Sequence, residues 1–255
     1  MSVNRKIFYE RKSEMKIVHL CLGAFFPDNY SYQENMLPKF HKKQGYDVEV
    51  IASLETFDND GKTCYYSEAK RYTNENDVLV TRLNYKSPDK FYKKLKRFSE
   101  LSQALEMAKP DILFIHNVQF LDMDKVVSYL KRNKKVKVFC DNHADFTNSA
   151  KGFVSRRILH GIIWKHCAKS IEPYTTKFYG VLPARVDFLK EVYDLPEEKC
   201  ELLVMGADDD RVSQASDPAV REAVRERYKI NDDEILLVTG GKIDHNKTQT
   251  LTLMD

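Results

Sequence analysis

Between residues 16 and 204 the chain returns repeatedly to short runs rich in Val, Ile, Leu and Phe: 16–22, 47–52, 77–83, 111–115, 136–140, 177–181 and 200–204. Runs of this length, apolar on consecutive positions, suit strands buried on both faces, and such strands belong to parallel sheets covered by helices. The intervals between them carry helical spacing, so the order is strand–helix–strand. The opening shows the unit best. A strand over 16–22 meets Gly23, then a loop through Phe25, Phe26, Pro27 and Asp28, then a helix from Ser31 with Glu34 at the capping-box position. That helix is predicted to turn Tyr32, Met36 and Phe40 inward, to kink at Pro38 and to end at Gly45. The expectation is an α/β fold with a Rossmann-type βαβ opening. The dinucleotide fingerprint GxGxxG is absent, which argues against NAD.

Residues 55–76 are polar and resist assignment. A helix over 91–108 is predicted, with Phe91, Leu95, Phe98, Leu101 and Leu105 on one face. The cations Lys90, Lys93, Lys94, Lys96 and Arg97 surround Tyr92 there. They read either as a solvated face or as contact with an anionic membrane surface or a phosphorylated acceptor. A further helix over 149–167 is predicted to turn Val154, Ile158 and Ile162 inward. Asp208-Asp209-Asp210 opens a polar stretch that reads as linker rather than as a metal motif, and a charged helix is predicted over 218–229.

At 255 residues the chain suffices for one full domain and part of another. Its hydrophobic content of 42% and charged content of 31% fit a globular protein in water. The net charge of +3 is too small to point to nucleic acid. Five scattered cysteines with no CxxC pair suggest neither structural zinc nor a disulfide framework, and suit reduced thiols in the cytoplasm. Cys140, His143, His166 and Cys167 match no zinc spacing. No metal and no cofactor are expected. No run reaches membrane-spanning length, and residues 1–14 are expected to play no part in folding.

In open α/β sheets, the residues just past the carboxyl ends of strands line the ligand crevice. Gly23, His116 and His143 hold such positions on separate βα units. A second candidate site comes late. Ile235-Leu-Leu-Val-Thr-Gly240-Gly241-Lys242 followed by Lys247 reads as a strand, a glycine turn and a helix start. Glycines let backbone approach a diphosphate, a helix N-terminus offers N–H donors, and two lysines supply charge. The same residues also fit an ordinary βα turn with solvated lysines.

Taken in order, these features resemble family 4 glycosyltransferases of the GT-B fold, in which two Rossmann-like domains face across a cleft. Gly23-Ala-Phe-Phe-Pro27 with Ser31-Tyr-Gln-Glu34 is similar to the family's opening loop. Lys43-Gln-Gly-Tyr-Asp-Val48, Pro110-Asp-Ile-Leu-Phe-Ile-His116, Asn142-His143, Met205-Gly-Ala-Asp208 and Gly241-Lys242 with Lys247 resemble later segments. The resemblance implies sugar transfer from a nucleotide-diphosphate donor to a glycan or lipid-linked acceptor, retaining and metal-independent, as in polysaccharide biosynthesis. It places Lys242 and Lys247 on the leaving diphosphate, His143 beside the donor sugar, Gly23 and Gly241 where backbone meets phosphate or sugar, and His116 and Glu34 at the substrate. Ser31-Tyr32 replaces the family's Gly-Gly pair, Lys242 stands where Arg is commoner, and Thr248 replaces a common Gly. The family's paired glutamates would lie past Asp255. The expected organisation is an acceptor-side domain over 15–206, a linker over 207–230 and the truncated start of a nucleotide-sugar domain over 231–255, inactive alone. Localisation follows as cytoplasmic or peripheral at the inner face of the membrane. The competing reading is an incompetent acceptor-domain fragment that binds a glycan or partner protein. A sugar-nucleotide epimerase of the same fold is a third.

Overall fold

The computed structural model describes residues 14–86, 93–150 and 152–238. The chain divides into two compact units between Gly206 and Ala207. The strands of the first unit are β1 (Lys16–Cys21), β2 (Asp47–Ala52), β3 (Glu55–Phe57), β4 (Thr63–Tyr65), β5 (Lys70–Thr73), β6 (Leu79–Arg82), β7 (Ile112–His116), β8 (Lys137–Asn142), β9 (Thr175–Gly180) and β10 (Cys200–Leu202). Its helices are α1 (Gln33–Lys43), α2 (Leu101–Ala108), α3 (Met123–Arg132), α4 (Lys165–Ile171) and α5 (Pro183–Glu191), with a wide-turned π-helical stretch, Ser155–Trp164, leading into α4. Eight strands form one sheet in the order β10-β9-β8-β7-β1-β2-β6-β5. Every pairing in it is parallel except that of β5 with β6. This is a Rossmann-like α/β sheet, as the strand–helix alternation predicts.

The central strands are apolar because both faces are covered. On one face Val18, Leu20, Leu113, Ile115 and Val138 join Leu105 of α2 and Met123 and Val126 of α3 in the main cluster. On the other, Cys21, Val48, Val50, Ala52 and Val80 make a smaller cluster with Phe26, and α1 packs against β1 and β2. The unassigned stretch 55–76 supplies the antiparallel hairpin β3–β4 and the edge strand β5.

Several sequence expectations fail for physical reasons. Helix α1 starts near Ser31 as expected, but its N-cap is Tyr32, whose side chain makes no capping bond. It buries Glu34, Asn35 and Pro38 while Tyr32 is exposed. The helix expected over 91–108 is broken ahead of α2. Lys96 takes a positive φ of 51°, Phe98 bridges to Tyr85, and its N–H donates to Asp122 Oδ2 at 2.6 Å. The cations do not form one solvated face either, since Arg97 pairs with Asp122 at 2.9 Å and Lys96 donates to Gly23 O at 3.1 Å.

In the stretch 155–164 the interior goes to His160 and Trp164, so Val154, Ile158 and Ile162 face outward. His160 Nδ1 lies 3.0 Å from the Tyr193 hydroxyl, which anchors that face. The second unit holds α6 (Asp209–Ala215) where a polar linker is expected, and α7 (Pro218–Tyr228) where the charged helix is predicted. Asp208 caps α6 by accepting from the Asp210 N–H, which explains the aspartate run. Residues 235–238 form no strand and lie exposed. Gly241, Lys242 and Lys247 lie outside the described residues, as do residues 1–13.

Candidate functional site

The carboxyl ends of β1, β7 and β8 lie side by side, because β7 sits between the other two in the sheet. Register sets His116 opposite Asp141. Asp141 and His143 are two residues apart at a strand end, which puts both side chains on one side of an extended backbone. Glu34 reaches the same place from the first turn of α1. His143 Nε2 lies 3.5 Å from Asp141 Oδ1 and 3.6 Å from Glu34 Oε1. Both distances exceed a normal hydrogen bond, so this nitrogen is buried between two carboxylates without a close partner.

Asp141 is buried and well supported. Its Oδ2 lies 2.7 Å from His116 Nδ1, and its Oδ1 accepts from the Asn117 N–H at 3.1 Å. Burial alone would raise its pKa, but His116 and His143 outweigh that and hold the carboxyl well below the usual range. Burial pushes Glu34 upward, against the pull of His143 and His116. Burial would depress His143, yet Asp141 and Glu34 prevail and raise it. The arrangement therefore sets an ionised carboxylate beside a histidine that gains protons easily, at the carboxyl end of the sheet where the His143 side chain is 23% exposed.

The loop after β8 is tied down by its own polar groups. Asp145 Oδ1 accepts from the N–H of Thr147 and of Asn148, both at 2.8 Å, and from the Thr147 hydroxyl at 2.7 Å. Its Oδ2 accepts from Arg185 of α5 at 3.2 Å. Asn148 in turn donates to the His143 carbonyl at 2.7 Å. The opening loop is fixed by the fully buried Arg82, which donates to Phe26 O at 2.8 Å and Ser53 O at 2.9 Å.

The sequence-predicted residues are thus partly brought together. His143 and Glu34 meet. His116 lies beneath the crevice, fully buried, with both ring nitrogens engaged by protein groups. Gly23 is needed for a different close approach than expected: a Cβ there would fall 2.3 Å from the Asn117 carbonyl oxygen. The glycine therefore lets two strand-end loops touch. Sequence reasoning missed Asp141, Asn117, Arg82 and Arg185. Only Asp141 carried a signal, its spacing of two from His143. Among the described residues no group of three or more His, Cys, Asp or Glu is placed to hold a metal ion. No helix among them is long and apolar enough to cross a membrane.

In sequence the chain matches no protein-family model and no curated protein. In structure it is similar to sucrose-phosphate synthase from Thermosynechococcus elongatus, with a TM-score of 0.51 and 12% identity over 80% of this chain and 53% of that one. It is also similar to a glycosyltransferase from Rickettsia africae, with a TM-score of 0.47 and 16% identity over 86% of this chain and 50% of that one. UDP-GlcNAc 2-epimerase from Neisseria meningitidis matches with a TM-score of 0.41 and 12% identity over 86% and 55%. The chain spans about half the length of these proteins.

Proposed function

We propose that this chain belongs to a glycosyltransferase that moves a sugar from a nucleotide-diphosphate donor to a glycan or lipid-linked acceptor. The observation that carries the reading is His143 at a strand-end crevice, held between ionised Asp141 and Glu34. The fold shared with sucrose-phosphate synthase supports it, and so do the family 4 segments of the sequence. With Nε2 turned toward the carboxylates, His143 has Nδ1 left for a sugar hydroxyl, and a proton gained on the ring is stabilised by Asp141. Breaking the glycosidic bond leaves charge on the diphosphate, and in this proposal Lys242 and Lys247 neutralise it, without a metal and with retention at the anomeric carbon. Peripheral contact with an anionic membrane surface forms part of the proposal, supported by exposed Phe153, Val154, Ile158 and Ile162 beside Arg156 and Arg157.

The test incubates this chain, joined to a complete nucleotide-sugar domain, with nucleotide-diphosphate sugars and a panel of glycan and lipid-linked acceptors. Transfer is expected, and His143→Ala should lower turnover about a hundredfold with little change in nucleotide affinity. Transfer that is indifferent to His143→Ala would remove the role assigned to that side chain. Glycan binding without transfer would favour the second reading, a non-catalytic acceptor-binding unit, and neither binding nor transfer would end both.

A further inference from the structure

His19 is out of character for its place. It lies within β1, fully buried, in a central parallel strand whose other buried residues, Ile17, Val18, Leu20 and Cys21, are apolar. Its Nδ1 is 2.9 Å from His116 Nε2, and its Nε2 is 3.0 Å from His41 Nδ1 on α1. His116 Nδ1 continues to Asp141 Oδ2 at 2.7 Å. The ring planes differ by only 19° between His19 and His116 and 28° between His19 and His41, with centroids 5.2 and 5.1 Å apart. Rings so nearly parallel, with nitrogens this close, meet edge to edge rather than face to face. That is the in-plane approach an N–H···N bond requires.

The protons can be counted. Two bare nitrogen lone pairs do not rest at these separations, so each contact holds one proton. With three neutral imidazoles, ionised Asp141 accepts from His116 Nδ1–H. His116 Nε2 then accepts from His19 Nδ1–H, and His19 Nε2 from His41 Nδ1–H. A fourth proton arriving at His41 Nε2 can move inward by handover. His41 gives its Nδ1 proton to His19 Nε2, and His19 gives its own to His116 Nε2. Each handover breaks one N–H bond and forms one, and no ring turns. The positive charge ends on His116 against the Asp141 carboxylate, with His19 and His41 left as Nε2–H tautomers.

We propose that Asp141, His116, His19 and His41 form a proton relay between half-buried His41 and the strand-end crevice. Of the four, His41 is the partly exposed member. Around Asp141 stand Glu34 from α1, Cys21 from β1 and His143 from the end of its own strand, with Arg185 of α5 acting on His143. His41 meets Tyr46 edge-on, and its neighbours along α1 include Lys39, Lys42 and Lys43. The charge that His143 feels from Asp141 is then set by a proton that enters on the far side of β1.

A network that merely holds α1 to the sheet would show the same contacts but different exchange. Ring N–H exchange with solvent is read by NMR on protein carrying 15N-histidine. In the unaltered chain the buried ring protons of His19 and His116 are expected to exchange through His41. His41→Phe keeps a ring there without nitrogens and should slow that exchange roughly tenfold or more. Unchanged or faster exchange would overturn the relay, since loosened packing alone accelerates it. If His41→Phe fails to fold, the tautomers of the unaltered chain decide. His19 and His41 should carry the same tautomer at every pH, both Nδ1–H without the extra proton and both Nε2–H with it, and opposite tautomers would sink the proposal. Neither readout needs sugar transfer, so the relay and the proposed function fail separately.

Discussion

The two faces of the sheet are made from alternate residues of the same strands, yet across β1, β7 and β8 one face buries apolar groups and the other a set of polar ones. On one face β1 presents Val18 and Leu20, β7 presents Leu113 and Ile115, and β8 presents Val138 and Cys140, all in the main apolar cluster. On the other, the same strands present His19, His116 and Asp141, and α1 covers them with Glu34 and His41. The apolar face needs only volume and shape. The polar face needs every buried nitrogen and oxygen partnered, because an unpartnered one costs far more than a partnered one gains. The helices repeat the contrast. Helix α1 turns polar groups inward, while the stretch Ser155–Trp164 leaves apolar ones outside.

The sharpest break of this comparison is Asp141→Ala. It strips the acceptor from His116 Nδ1 and from the Asn117 N–H in a fully buried place, and should cost about 3–5 kcal/mol in a denaturant melt. That would match or exceed Leu113→Ala on the apolar face, where about 2–5 kcal/mol is expected. A loss below about 1 kcal/mol would show that the polar face carries no stability.

Acidification should also separate the faces. Burial, reinforced by His116, lowers the His41 pKa to about 4. The unfolded value is about 6.5, so between these limits the unfolded chain binds more protons and stability falls as pH drops. The full shift corresponds to about 3 kcal/mol, reduced by the partial exposure of the ring to about 1–3 kcal/mol. Asp141, whose pKa is depressed, adds stability that is present above about pH 3.9 and is lost only below it. Melting temperature followed from pH 7 to 4 should therefore decline in the wild type and decline less in His41→Phe. Equal slopes would contradict the burial of this ring.

A smaller effect is expected where the two strand-end loops touch. Gly23→Ala forces the Asn117 backbone aside and should cost about 1–3 kcal/mol in thermal or chemical unfolding. No measurable loss would mean that the loops separate freely. The smallest effect belongs to the outward apolar stretch. Ile158→Ser with Ile162→Ser should change stability by less than about 0.5 kcal/mol. A loss above about 1 kcal/mol would show that the face is covered in solution.

Much of this protein was legible in its residues. Short Val-, Ile- and Leu-rich runs separated by helical spacing dictated an α/β sheet, since only strands covered on both faces tolerate such runs in water. The position of His143 after the run 136–140 was enough to place it at a strand end. Tertiary structure decided what lies around it. The neighbours β7–β1 and β7–β8 are distant in sequence, and only their pairing brings His19, His116 and Asp141 into line. The buried faces of α1 and of residues 155–164 were misread for the same reason. Periodicity shows that a helix has an apolar side, but the partner groups waiting on the sheet determine which side is buried. Here those partners were a histidine, a carboxylate and a tyrosine hydroxyl, and hydrogen-bond satisfaction overruled the apolar stripe.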